Sequence, residues 1–202
     1  MTTFDQKKIS YEKWGLSDYK ENLPKIKNLR KTYMHFPYLY AYDAAEEDAY
    51  HDAYMTAGEH LDAFVAIHDE ELIGISIGCP LMRGIAICAD LVDTELSKGK
   101  PYYFGDIIID KNYWGQGIAS ALYKNHLKYI SKKGYSHVLA LLVEKNDDDP
   151  RTPSKFKKSD LWSSFQFHPT NFTINYSWKT FTASGEIKQE KHTLRAYIKN
   201  LG

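Results

Sequence analysis

Residues 106–127 read DIIIDKNYWGQGIASALYKNHL, with Gly115 and Gly117 between an apolar run and the start of an amphipathic one. A helix that begins there offers unpaired backbone N–H groups and a partial positive charge. Phosphate binds such an end when the main chain can be approached closely, and glycine, lacking Cβ, permits the approach. The same two glycines could equally make a tight strand-to-helix turn with no ligand, and the residue types leave both readings open. Two phosphate motifs are excluded. No Lys-Ser or Lys-Thr follows the glycines, as a nucleoside-triphosphate loop requires. The third glycine of a dinucleotide fingerprint is missing, and the strand lies mid-chain.

The other chemistry-bearing groups read less sharply. His51 stands between Asp48 and Asp52 in EEDAYHDAY, with His60 beyond. No tight ligand spacing supports a metal there, so the segment reads as a solvated helix face and no metal is expected. Cys79 and Cys88 sit in the apolar settings SIGCPL and IAICAD without zinc spacing. They read as reduced core thiols of a cytoplasmic protein, with a disulfide between them left open.

The elements that must position these groups follow from periodicity. Residues 4–14 suggest a strand. A helix is expected from Asn22, which can cap it, with Pro24 in the first turn and Ile26, Leu29 and Tyr33 on one face. Pro37 breaks it, and residues 44–58 read as a second helix stopped by Gly58. Two apolar runs flanking HDEE predict a β-hairpin. Residues 102–110 and 136–146 read as buried strands around a helix over 117–133 with Gly134 as its stop, a unit expected to form a parallel crossover. Short helices are expected within 85–98 and 156–165, and residues 171–201 predict a second hairpin through TASG. The whole is a mixed α/β (α+β) fold.

Composition narrows the class. The 202 residues suit a single domain, and 43% apolar content is ample for a core. Lys plus Arg equals Asp plus Glu at 26 each, so bulk charge gives no reason to expect a nucleic-acid or anionic-membrane partner. No run reaches the roughly 18 apolar residues of a membrane span, and the N-terminus lacks a signal-peptide core. Sixteen tyrosines are present, half of them before residue 60.

The segment IIIDKNYWGQGIASAL resembles the acetyl-CoA-binding motif of the GNAT N-acetyltransferase superfamily: an apolar strand, a turn with an aromatic, then [Arg/Gln]-x-x-Gly-x-[Gly/Ala] opening a long helix. Gly117 and Ala119 match the small positions, and Trp114 departs from the Arg or Gln. FVAIHDEELIGISIGCPL is similar to the family's central hairpin, and SSFQFHPTNFTINYSW to its C-terminal helix running into the last strands. HFPYLYAYD, YFGD, DDDPRTP and the tail from Trp178 are similar to a group of bacterial members whose acceptors are largely unassigned.

The resemblance implies a mostly antiparallel sheet with one splayed parallel strand pair. It also implies an acceptor-side segment over about 22–58, a coenzyme-binding core over about 61–146, and a C-terminal helix and hairpin over about 153–201. It implies acetyl-CoA as co-substrate and a primary amine as acceptor, attacked directly without an acyl-enzyme. The coenzyme contacts would come from Ile107, Ile108, Ile109, Trp114, Gly115, Gln116, Gly117, Ile118, Ala119 and Asn146. The family's base is often a carboxylate near the start of this strand, which makes Asp106 the candidate; flanked by Phe104, Gly105 and Ile107, it would have a raised pKa if buried.

The usual acid is a tyrosine in the C-terminal helix, and Trp162 holds that position, which is no proton source. The tyrosine-rich head lies where the family builds its acceptor pocket. Tyr38, Tyr40, Tyr42, Tyr50 and Tyr54 with Asp43 would attract a cationic amine there; otherwise they pack the head on the sheet. A homodimer is compatible with the resemblance. Because of Trp162, a catalytically weak acyl-CoA-binding sensor on the same fold is the rival to an N-acetyltransferase. An unrelated α/β binding protein is a third reading.

Overall fold

The computed structural model describes residues 8–33, 40–81, 88–144, 161–182 and 184–201. In chain order the elements are β1 (Ile9–Trp14), α1 (Leu16–Glu21), α2 (Leu23–Tyr33), α3 (Ala44–Met55), β2 (Asp62–His68), β3 (Glu71–Pro80), α4 (Ala89–Val92), β4 (Pro101–Ile109), α5 (Ile118–Lys132), β5 (His137–Val143), α6 (Leu161–Ser164), β6 (His168–Phe181) and β7 (Ile187–Asn200), with short 3-10 turns between. The seven strands form one mixed sheet in the order β1-β2-β3-β4-β5-β7-β6. Among the described residues only β4 and β5 run parallel; every other strand pairing is antiparallel.

Local chemistry accounts for most boundaries. The β2–β3 turn is the two-residue Asp69-Glu70, both at positive φ (48° and 67°). That is the backbone a right-twisted two-residue hairpin needs, here without glycine. Asp43 caps α3, its carboxylate accepting from the Ala45 and Glu46 N–H groups. Gly134, at φ 72°, ends α5 where expected.

Two expectations fail at helix ends. Asn22 does not cap α2 with its side chain; it closes the unexpected helix α1, donating from Nδ2 to the Asp18 carbonyl at 3.0 Å. Helix α3 stops at Met55 rather than Gly58, because residues 58–60 tighten into a 3-10 turn.

Helices α2 and α3 cover one face of the sheet and α5 the other. Alternation along the strands divides the core accordingly: Val65, Ile75, Ile77 and Ile108 pack with Ile26, Leu29 and Tyr54, whereas Phe64, Ala66 and Ile73 pack with Ile118 and Leu122. The α5 face carries a polar chain that is buried except at its lysine end. His126 Nδ1 lies 2.7 Å from Ser76 Oγ, His126 Nε2 lies 2.7 Å from the Tyr102 hydroxyl, and Tyr102 donates to Asp62 Oδ2 at 3.2 Å. Lys13 closes the chain 2.9 Å from Asp62 Oδ1. Since Tyr102 gives its proton to Asp62, the His126 Nε2–H donates to Tyr102, and Nδ1 accepts from Ser76. Burial pushes the His126 pKa down to about 3, so the ring is neutral.

Candidate active site

Strands β4 and β5 pair only through Pro101–His137, Tyr102–Val138 and Tyr103–Leu139. Beyond Tyr103, β5 continues alongside β7 while β4 continues alongside β3, so the two parallel strands part and leave a split. Within the free stretch β4 carries a bulge. Ser76 pairs with Ile107 and Gly78 with Phe104, leaving Gly105 and Asp106 together opposite Ile77. Such a bulge interrupts the alternation. Gly105 and Asp106 therefore both meet the α2–α3 side: a Cβ at Gly105 would strike Tyr54, and the Asp106 carboxylate meets Arg30 and Tyr50.

At the far end of β4, Asp110 accepts from the Asn112 N–H at 2.8 Å and starts a 3-10 turn over Lys111–Tyr113. Gly115 and Gly117 follow at φ 78° and 81°, a conformation that side-chain-bearing residues rarely adopt. The turn by itself thus requires glycine. The ground above it is also open, because a Cβ at either glycine would meet no atom within 4 Å. Gly117 is the N-cap of α5 and brings no capping side chain, and no acidic residue lies in the first turn. Helix α5 consequently starts without a capping side chain and with its dipole uncompensated by a first-turn carboxylate, beneath open ground at both glycines, as an anion seat needs. Trp114 is exposed, and its indole N–H donates to the Ile109 carbonyl at 2.8 Å, so it secures the turn to the strand end. Gln116 Nε2 donates to the Asn112 carbonyl at 3.3 Å. Ile118 is buried, and Ala119 packs against the same cluster.

Asp106 is not surrounded by bare apolar groups. Its Oδ2 accepts from Arg30 Nη1 and from the Tyr50 hydroxyl, and the Arg30 guanidinium lies 3.7 Å over the Tyr50 ring. Arg30 Nε also pairs with Glu47 Oε1. His51 Nε2 stands 3.0 Å from the same oxygen, off the line of a good hydrogen bond, and the Tyr19 hydroxyl meets His51 Nδ1 at 2.6 Å. Tyr40 donates to Glu47 Oε2 at 3.0 Å.

Burial pulls the His51 pKa down and leaves the ring neutral. Burial works to raise that of Glu47, but its contacts with His51 and Arg30 hold it below the ordinary range. One cation thus serves two carboxylates. The side chains of Glu47 and Arg30 are 0% and 5% exposed and that of Asp106 is 19% exposed, so the surplus negative charge reaches solvent at Asp106.

The residues expected at an acceptor pocket are divided. Tyr50 touches Asp106. Tyr54 is fully buried with its hydroxyl unpaired. Tyr40 is tied to Glu47, Tyr42 is half-buried under Lys31 Nζ, 5.1 Å from its ring centre, and Asp43 serves as helix cap and ion-pairs with Lys179. Tyr38 and Asn146 lie outside the described residues. A cavity of about 680 Å³ opens instead between α2 and the β2–β3 turn, lined by Lys25, Thr32, Tyr33, His68, Asp110 and Tyr113 among others; it reaches the elbow's leading turn and includes none of these tyrosines.

Trp162 packs edge-on against Phe104 and Phe167, with ring centres 5.8 and 5.2 Å apart. Cys79 and Cys88 are free and buried. Among the described residues no cluster of His, Cys, Asp and Glu could hold a metal, and no helix is long and apolar enough to cross a membrane.

Arg30, Glu47, His51 and Tyr19 were not expected at the site. The available signal was charge on an apolar stripe: Arg30 follows Ile26 and Leu29, and Glu47, His51 and Tyr54 share the buried side of α3.

A family model described as "Acetyltransferase (GNAT) family" matches residues 23–152. Solved structures share the fold at low identity. A polyamine N-acetyltransferase from Drosophila melanogaster aligns with TM-score 0.61 and 11% identity over 95% of this chain and 99% of that one. An N-acetyltransferase from Staphylococcus aureus Mu50 gives 0.60 and 17% over 96% and 99%. A chain of the NatC complex bound to Gag peptide and CoA gives 0.56 and 12% over 96% and 99%. No curated protein matches the chain. With the family model covering well over half of the sequence and the splayed β4–β5 pair and glycine elbow in place, the chain belongs to the GNAT acetyltransferase family.

Proposed function

We propose that the protein transfers an acetyl group from acetyl-CoA to a primary amine of a small molecule or protein by direct attack. The observation that carries this reading is the bulge in β4. It turns the partly exposed carboxylate of Asp106 to the α2–α3 side at the point where β4 leaves β5, on the strand whose far end leads into the uncapped N-terminus of α5. The uncapped N–H groups from Gly117 onward would hold the pyrophosphate, with Trp114 bracing the turn and Ala119 keeping the helix start narrow. The main chain at Ile107, Ile108 and Ile109 would line the pantetheine arm, and acetyl-CoA supplies the thioester. The surplus negative charge at Asp106 would draw a cationic amine, and the carboxylate would take its proton as the bond to carbon forms. Arg30 and Tyr50 hold that carboxylate in place.

The rival reading, an acyl-CoA-binding module with little turnover, is favoured by one observation: the indole of Trp162 packs within the aromatic cluster at a position where the family resemblance calls for an acidic hydroxyl. One experiment separates the two. Calorimetric titration with acetyl-CoA should show binding that Gly117→Glu abolishes, and thiol release on a panel of primary amines should show turnover. Binding without turnover on any amine would favour the rival.

A further inference from the structure

On the α2–α3 face two buried polar atoms lack a good hydrogen bond among the described residues, His51 Nε2, which still lies against the Glu47 carboxylate, and the Tyr54 hydroxyl. Tyr54 is fully buried, and its hydroxyl has no hydrogen-bond partner among the described residues. An unpaired buried hydroxyl costs stability, and native proteins keep few of them. This one has been given room: a Cβ at Gly105 would lie 1.6 Å from the hydroxyl oxygen and 2.8 Å from Cζ, so only glycine lets the phenol reach the strand. Gly105 belongs to the bulge, next to Asp106, just past the last β4–β5 pair at Tyr103. A donor without a partner therefore rests against the main chain where β4 first becomes free. The neighbouring phenol, Tyr50, which packs edge-on at 5.0 Å between ring centres, spends its hydroxyl on Asp106.

We infer that the Tyr54 hydroxyl donates a hydrogen bond to the thioester carbonyl oxygen of the acyl donor and to the oxyanion that oxygen becomes. The inference rests on the acyl-transfer reading above. When the amine nitrogen bonds to the carbonyl carbon, the C=O π pair moves onto oxygen, where Tyr54 meets it. When the pair returns, the C–S bond breaks, sulfur leaves with the bonding electrons, and the proton lost by the amine balances the thiolate. Tyr54 keeps its own proton throughout. Burial raises its pKa well above the ordinary value, with Tyr50 and Tyr103 acting in the same direction, which keeps the donor protonated at any working pH.

The test is Tyr54→Phe, which removes one oxygen that makes no hydrogen bond among the described residues. Its melting temperature should equal or exceed that of the unaltered protein. Affinity for CoA, which lacks the carbonyl, should be unchanged, while the Kd for acetyl-CoA should rise about threefold to tenfold, the worth of one neutral hydrogen bond. A variant that melts earlier would mean the hydroxyl is paired and structural, and would overturn the inference. So would equal acetyl-CoA affinity in the two proteins. Failure of the unaltered protein to bind either ligand would instead remove the acyl-transfer reading itself, and the inference with it.

Discussion

The two faces of the sheet each bury a polar network, and they are built to different ends. On the α5 face, Ser76, His126, Tyr102, Asp62 and Lys13 form a chain in which every donor has an acceptor and the single carboxylate has its own cation. On the α2–α3 face, one guanidinium serves Glu47 and Asp106, and the Tyr54 hydroxyl has no partner. A satisfied, charge-balanced network fixes a core. A network left with surplus charge and an unpaired donor, both at the split between β4 and β5, retains capacity for a ligand.

Substitutions on the two faces test that contrast. Arg30→Met should have the largest effect: it strands two carboxylates, and urea unfolding should show a loss of about 3–5 kcal/mol. The matching change on the other face, Lys13→Met, removes a cation whose side chain is 33% exposed from a carboxylate that is 7% exposed but keeps the Tyr102 hydroxyl, and should cost about 1–2 kcal/mol. Comparable losses would mean that the two networks are equivalent. Gly105→Ala drives a methyl into Tyr54 and should cost about 3 kcal/mol by overpacking. In a Tyr54→Phe background the cost should shrink without vanishing, since the ring carbon still stands 2.8 Å away.

His126→Leu should cost about 2 kcal/mol at neutral pH by unpairing Ser76. It should also flatten the acid limb of the stability curve. The folded-state pKa of His126, about 3, lies below the ordinary 6.5, so between those values the unfolded chain binds the proton that the folded one refuses. The His126 contribution is therefore full above about pH 6.5 and falls as pH drops toward 3, a slope that melting temperatures of the variant should lack apart from contributions by His51, which shifts in the same direction, and, at the acid end, by the carboxyls of Glu47 and Asp43, which are held below their ordinary range. Gly117→Ala is also mild: forcing alanine to φ 81° should cost about 1 kcal/mol, and coenzyme affinity, read by calorimetry, should suffer more than stability.

The same contrast marks what the sequence could disclose. The elbow was legible because its determinants are local: two glycines, an apolar strand before and an amphipathic helix after. The hairpins and the parallel crossover pair were legible for the same reason. Helix α1 was missed because LSDYKE has few apolar residues, and its start depends on the Gly15 N–H donating to Asp18 at 3.1 Å, a pairing without a strong pattern. Asn22 looked like a cap because its residue type suits both ends of a helix, and only the direction of its amide decides between them. The site network was not legible because Arg30 and Asp106 stand 76 residues apart and meet only once α2 lies across β4. The bulge that sets Gly105 beside Asp106 depends on register with β3, which residue types alone do not specify.

Under the proposed function Asp106, at the solvent end of its network, removes a proton from an amine held against acetyl-CoA. Thiol release from acetyl-CoA across a panel of primary amines, measured beside acetyl-CoA affinity in the unaltered protein and in Asp106→Asn, tests it most directly. Turnover is expected on at least one amine, with a fall of about a hundredfold or more in the variant and an unchanged acetyl-CoA affinity. Tight acetyl-CoA binding with no turnover on any amine, or equal turnover in the two proteins, would contradict it.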